Sequence, residues 1–267
     1  MTPKFGILGF GKMGQAIWKG IQKKDLIKTE HVSICETSSQ THPLIQQLLG
    51  TAPVSLQELI ETSNICLVCI KPQHIKELLN EIKSFNYKQT KFISILAGTP
   101  ISCFQDYLGT STEIIRVMPN TPTLVNEGMS VLSKSNTVSD AFMSFCVHLF
   151  EGIGKVDIVD EQCLDIVTGI SGSGPAFFYH IARSMALTGE EKGLSQEQSL
   201  RLVAQTMIGA GKMLLESGSS PEDLIKAVSS PGGTTLAGLD VLYKSSVDKD
   251  LKQVILAAYK RSKELSE

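Results

Sequence analysis

Phe5-Gly-Ile-Leu-Gly-Phe-Gly-Lys-Met-Gly14 is the stretch on which the fold turns. Phe5 to Leu8 reads as a short buried strand, and Met13 to Lys23 carries Ala16, Ile17, Gly20 and Ile21 at helical spacing. Between them lies a GxGxxG, weak evidence as a bare hexapeptide and stronger at a strand-to-helix turn. There the first glycine permits the tight turn, the second lets a pyrophosphate approach the backbone, and the third allows close helix-to-strand packing. Free N–H groups and the helix dipole then favour phosphate. A glycine turn without a ligand is the bland alternative, weakened by the units that follow.

Those units alternate. His31 to Cys35 is strand-like, Leu44 to Leu49 and Leu56 to Glu61 are helical, Ile65 to Ile70 is a buried strand ended by Lys71-Pro72, and Ile75 to Ile82 is helical. Further strands are expected at Phe92 to Leu96, Glu113 to Val117 and Gly128 to Leu132. This pattern predicts an α/β domain of Rossmann type over residues 1–159, with a mainly parallel sheet covered by helices. Glu36 ends the second strand, 22 residues beyond Gly14, where such a domain places the acid that binds the adenosine ribose diol. A carboxylate there repels a 2′-phosphate, and no Arg or Lys lies between Cys35 and Gln47 to bind one, although Thr37, Ser38 and Ser39 can donate hydrogen bonds. The residues therefore lean toward NAD. Ligands of open parallel sheets lie beyond the carboxyl ends of the strands, which brings Lys71-Pro-Gln73, Ala97-Gly-Thr99 and Arg116-Val-Met-Pro-Asn-Thr-Pro122 to the cleft. A solvated helix-start lysine is an equal reading of Lys71.

After about Val159 strands give way to amphipathic stretches: Pro175 to Lys192, Gln196 to Ser217, Pro221 to Ser229, Thr235 to Lys244 and Asp248 to Glu264. Residues 160–267 are thus expected to form an all-helical domain, punctuated at Gly193, Gly218 and Pro231-Gly-Gly233. Leu200 to Leu215 is apolar on more than one face, which predicts packing against a second copy; the alternative is a helix central to its own domain.

Composition narrows the class. The chain has 267 residues, 25 basic and 27 acidic, for a formal charge of −2. This excludes the basic excess that general nucleic-acid or membrane-surface binders need. The longest apolar run, Ile65 to Ile70, is far short of the roughly 20 residues that span a bilayer. Met1 to Lys4 leads straight into the glycine-broken strand, so no secretory leader is expected and a cytoplasmic location is. Cys66 and Cys69 form a CxxC, but on a strand positions i and i+3 face opposite ways, so neither a redox pair nor a metal site is expected. The five histidines are scattered, and no metal is expected.

Gly9-Phe-Gly-Lys-Met-Gly14, Lys71-Pro-Gln73, Ser94-Ile-Leu-Ala-Gly98, Arg116-Val-Met-Pro-Asn-Thr-Pro122, Thr168-Gly-Ile-Ser-Gly-Ser-Gly-Pro-Ala176 and Val228-Ser-Ser-Pro-Gly-Gly-Thr-Thr235 stand in the order of the pyrroline-5-carboxylate reductases, which the chain resembles from Phe5 to about Leu265. The resemblance implies hydride transfer from NADPH or NADH to the C=N carbon of 1-pyrroline-5-carboxylate, giving L-proline. It also implies helical domains interlocked between two subunits, each active site lying between the cofactor domain and the helical dimer. Carried over by motif, Gly9, Gly11, Lys12, Met13, Gly14, Glu36, Cys69, Ile70, Lys71, Pro72, Ala97, Gly98 and Asn120 bind the cofactor. Ser230, Gly233, Thr234 and Thr235 grip the substrate carboxylate, with Thr235 nearest the ring nitrogen and the catalytic choice, and Glu161 resembles a pocket acid. On residues alone an ordinary Thr helix cap is the commoner reading of that loop. Two departures stand out: Gly14 replaces a frequent alanine, expected to be harmless, and Glu36 runs against the frequent NADPH preference. Competing functions are another Rossmann imine reductase or a β-hydroxyacid reductase, whose helical-domain lysine has no counterpart motif at Lys192 or Lys212, and a non-catalytic dinucleotide-binding redox sensor.

Overall fold

The computed structural model describes residues 4–266. The reading of Met1 to Lys4 falls mostly on residues that lie outside the described residues. The chain divides into a compact unit that runs to Ser173 and resumes at Ala257, and a second unit, Gly174–Leu256.

In the first unit the glycine stretch folds as read: β1 (Phe5–Leu8) leads into α1 (Lys12–Lys23). β2 (Val32–Cys35), α2 (His42–Leu49), α3 (Leu56–Thr62), β3 (Ile65–Val68), α4 (Ile75–Ile82), β4 (Lys91–Ser94), α5 (Ile101–Leu108), β5 (Ile114–Met118), β6 (Gly128–Lys134), α6 (Asp140–Glu151) and β7 (Gly154–Ile158) follow. The seven strands form one sheet in the order β2-β1-β3-β4-β5-β6-β7, parallel throughout except between β5 and β6. Since β1 has β2 on one side and β3 on the other, with Leu8 opposite both Cys35 and Val68, the sheet reverses its winding there and opens a crevice beyond Leu8.

The period-2 pleat sorts side chains into two cores. Phe5, Ile7, Ile65, Leu67, Ile93, Ile115 and Val117 meet Ile17, Trp18 and Ile21 of α1 and Phe142, Cys146, Leu149 and Phe150 of α6. On the other face Leu8, Cys66, Val68, Phe92 and Ile114 meet Leu59, Ile60, Leu79, Ile82, Phe104 and Leu108 of α3, α4 and α5. Each such side chain removed from water stabilises the fold by about 1.5 to 3 kcal/mol before ordering entropy is counted. Cys66 lies in the second core and Cys69 packs against the first, so the two thiols face opposite ways. Burial pushes both thiols well above their ordinary pKa.

Three elements escape the pattern reading. α6 flanks its buried stripe of Phe142, Met143, Cys146, Leu149 and Phe150 with the further apolar residues Phe145 and Val147, which blur the period, α5 is only two turns, and β7 is an edge strand with most of its residues exposed. β3 and β4 also stop two residues early, because Cys69 and Ile95 make the last ladder bonds, to Leu8 and Val68, before the chain turns into the loops.

Beyond β7 the first unit holds α7 (Leu164–Val167) and a π turn over Thr168–Gly172, in which the Ser173 N–H donates to the Thr168 carbonyl at 2.8 Å. Asn120 fastens this turn: its amide donates to the Ser171 carbonyl at 3.1 Å, while its oxygen accepts the Met129 N–H at 2.9 Å.

The second unit opens with α8 (Gly174–Glu191) and α9 (Gln196–Glu216), then α10 (Pro221–Ala227), α11 (Thr234–Lys244) and the start of α12 (Val247–Ser266). Ser195 and Gln198 form a full capping box at the start of α9. The Ser199 hydroxyl lies 2.6 Å from where a Cβ on Gly189 would stand, so α8 and α9 cross closely only because that residue is glycine. Of the α9 residues only Ser199 and Val203 are buried, while Leu202, Ile208, Met213, Leu214 and Leu215 are exposed, Leu215 by 76%. The helix is therefore not central to its own domain. In the last turns of α12, within the first unit, the Ser262 hydroxyl donates to Asp165 at 2.7 Å and Leu265 lies over Gly98.

Candidate active site

The crevice beyond β1 is a cleft of 780 Å³. Gly9 sits in its floor with φ +86°, its N–H donating to the Cys35 carbonyl at 2.9 Å, and a Cβ there would stand 3.0 Å from the Cys69 carbonyl oxygen. Only glycine meets both demands. Gly11 begins α1 as its N-cap, with no side-chain cap, and nothing lies within 4 Å of where its Cβ would be. The main chain is thus bare at the point where a pyrophosphate would lie, beside the unpaired N–H groups of the first helical turn, so these residues fit a dinucleotide. A Cβ on Gly14 would stand 2.8 Å from the Gly9 carbonyl oxygen. Glycine at this position therefore fits the close-packed turn, whereas an alanine would require the turn to open.

Glu36 reaches back to the same turn. Its Oε2 accepts the Phe10 N–H at 2.7 Å and its Oε1 accepts the Ser38 N–H at 2.8 Å. Each carboxylate oxygen keeps a lone pair, and the group lines the cleft with Gly9, Gly11, Cys69, Ile70 and Lys71. Lys12 is exposed at the start of α1, and Met13 is half-buried, its sulfur accepting from the Thr123 hydroxyl at 3.5 Å.

Other expected cofactor residues stand apart. Pro72, Ala97 and Gly98 line a neighbouring cleft of 760 Å³, and Asn120 lines neither, its side chain being engaged in the main-chain bonds described above. Glu161 is engaged too. Its Oε1 accepts the Ile101 N–H at 2.7 Å, at the uncapped start of α5, and pairs with the Arg116 guanidinium at 3.1 Å. Arg116 is 6% exposed, so Glu161 supplies the partner that a buried cation requires and ties β5 to the loop after β4.

The remaining expected residues belong to the second unit. Gly232 takes φ +72° and Gly233 is the N-cap of α11, its N–H donating to the Ser230 carbonyl at 3.0 Å. No side chain caps the helix, and among the described residues the Thr234 and Thr235 hydroxyls make no hydrogen bond. The ordinary Thr cap therefore fails here: the cap is glycine, and Thr235 stands one residue inside the helix with its hydroxyl free. Pattern reading missed Leu56 at the start of α3 and Leu78, Glu77 and Glu81 of α4 on the walls of the first cleft; helical spacing marks the last three only as a rim beside Ile75, Leu79 and Ile82.

Residues 161–265 match the family described as pyrroline-5-carboxylate reductase dimerisation, and residues 4–98 match that described as NADP oxidoreductase, coenzyme F420-dependent. The chain is 34% identical over 265 residues to a pyrroline-5-carboxylate reductase of Arabidopsis thaliana, covering 99% of this chain and 96% of the relative. It is 35% identical to pyrroline-5-carboxylate reductase 2 of Bacillus subtilis, covering 99% and 95%. Among solved structures, the pyrroline carboxylate reductase of Plasmodium falciparum with NADP bound superposes with a TM-score of 0.88 at 32% identity, over 99% of this chain and 98% of that one.

Proposed function

The chain belongs to the pyrroline-5-carboxylate reductase family, and from that premise we propose how its own residues divide the work. The protein is an NAD(P)H-dependent reductase that converts 1-pyrroline-5-carboxylate to L-proline, the closing step of proline biosynthesis. When bound, the nicotinamide coenzyme supplies the hydride. Gly9 to Gly14, with Lys12 and Met13, receive the phosphates, Glu36 accepts the ribose diol, and Cys69 to Pro72, Ala97, Gly98 and Asn120 shape the loops around the coenzyme.

The observation that carries the substrate assignment is the bare N-terminus of α11. Gly233 caps it without a side chain, so the N–H groups of its first turn, the Ser230 hydroxyl and two Thr hydroxyls are available to a carboxylate. Thr235 orients the ring nitrogen, directly or through water, and keeps it hydrogen-bonded as it gains its proton. The signature loops hold no His or Lys acid, so positioning supplies most of the rate. Glu161 enters through the main chain it holds.

We also propose that residues 1–159 form the dinucleotide domain and 160–267 the substrate and dimerisation domain of a cytoplasmic homodimer. The dimerisation family match and the exposed apolar side chains of α8, α9 and α11 support the assembly. Among the described residues no helix is long and apolar enough to cross a membrane. Following NADH and NADPH oxidation with pyrroline-5-carboxylate, beside a panel of hydroxy acids, tests the reaction. Turnover confined to the pyrroline supports it, and turnover of a hydroxy acid alone overturns it.

A further inference from the structure

The cleft beyond β1 has a wall that the nucleotide motif does not explain. α4 buries Ile75, Leu79 and Ile82 against the sheet and turns Glu77, Leu78 and Glu81 toward the cleft; one helical turn separates the two carboxylates, so they share a face. Both are exposed, and among the described residues neither has an ion-pair partner. Glu36 stands across from them at the end of β2. The Cys35 thiol beside it is pushed above its ordinary pKa by burial first, then by the carboxylates of Glu36 and Glu81, so the fields of two walls meet at the end of β2. The basic side chains of the cleft are Lys71 and His74, and Lys71 directly follows Cys69-Ile70, whose backbone abuts Gly9 at the glycine turn.

We propose that Glu77 and Glu81 are specificity-determining residues for the coenzyme: with Glu36 they form an acidic rim around the adenosine end of the cleft that admits the ribose diol of NADH and repels the 2′-phosphate of NADPH. The inference rests on the coenzyme reading above and adds two residues to it. Attraction to the diol alone would need only Glu36. Unpaired carboxylates on a second wall act against the competitor, discriminating by a penalty on the wrong ligand.

The test replaces Glu77→Gln and Glu81→Gln, singly and together, leaving Glu36 in place. NAD+ and NADP+ are titrated by calorimetry without pyrroline, so the result does not depend on which substrate the enzyme reduces. The NADP+ to NAD+ affinity ratio should rise about three- to tenfold for each carboxylate removed, while the Kd for NAD+ stays within about twofold. Raising salt should lift the same ratio in the unsubstituted protein, because exposed charges are screened. A double variant with an unchanged ratio, or with both dinucleotides strengthened equally, overturns the proposal. If the ratio shifts as expected but neither coenzyme supports pyrroline reduction, the rim stands and the reaction reading falls.

Discussion

The Phe10 N–H, in the middle of the glycine turn, donates to Glu36 Oε2 at 2.7 Å from the end of the neighbouring strand. One carboxylate thus holds the glycine turn in shape, and in the proposed coenzyme site its remaining lone pairs would meet the ribose, so turn geometry and coenzyme choice would not be separable by mutation at this position.

NADH should accordingly be used at least as well as NADPH. Glu36→Ala should shift the ratio of their kcat/KM values toward NADPH by about 1 to 2 kcal/mol, the scale of one charge-assisted bond and relieved repulsion. Both values should also fall, because Phe10 loses its acceptor. Steady-state kinetics with both coenzymes decides; a hundredfold NADPH preference in the unsubstituted enzyme refutes the assignment.

Thr235→Ala should lower kcat/KM for the pyrroline by about 2 to 4 kcal/mol, a lost polar contact plus misorientation. The Kd of the coenzyme should barely move. Because Gly233 and not Thr235 caps α11, the melting temperature should stay near that of the parent, without the loss of about 1 kcal/mol that removal of a cap brings. A destabilised variant with normal kinetics would take Thr235 out of the active site.

Light scattering at micromolar concentration should give at least twice the 29.0 kDa chain mass. Leu202→Glu with Ile208→Glu, both on the exposed face of α9, should shift the species toward monomer. A fully active monomer of the parent protein would sink the assembly.

Glu161→Ala leaves the Arg116 cation buried without its partner and frees the start of α5. Unfolding free energy should fall by about 2 kcal/mol, below the range for a fully buried pair because 32% of the Glu161 side chain faces solvent. Glu161→Gln, which retains an acceptor for Ile101, should cost less. Denaturant titration of the three proteins measures the order, and equal stability of all three contradicts it.

Glu113 offers a pH signature. Desolvation works to raise its pKa, but the Lys91 ammonium and two bonds from Ser139 outweigh it and hold the carboxyl below its ordinary value. A folded-state pKa below the unfolded one means the contribution is complete above about pH 4.3 and is lost as pH falls through the lowered value. The stability gap between the parent and Glu113→Gln should therefore be constant near neutrality and close in acid. A gap that widens in acid would reverse the sign.

The strands and helices around the glycine turn are legible because each obeys one period: Phe5 to Leu8 alternates between two cores and α4 repeats Ile75, Leu79 and Ile82. α6 is less so, because Phe145 and Val147 widen the apolar stripe beyond the buried residues and leave only a narrow polar face of Asp140, Ser144, His148 and Glu151. Site chemistry was legible only where a motif is local. The engagement of Glu161 with Arg116 spans 45 residues, and the steric limit at Gly14 depends on a carbonyl five residues back. Glu77 and Glu81 look like solvated helix charges until the sheet order brings α4 beside β2's end.

The last turns of α12, which belong to the first unit, set an order of assembly. Leu265 packs directly over Gly98, and a Cβ on that glycine would stand 2.7 Å from the Leu265 Cβ. Contact partners 167 residues apart cannot meet on a ribosome until the intervening helical unit has emerged. A nascent chain released at Ser173 would carry all seven strands, yet the Ala97–Thr99 loop would lack the surface it rests on. The sheet-bearing unit is therefore the first part of the chain to be made and among the last to be finished.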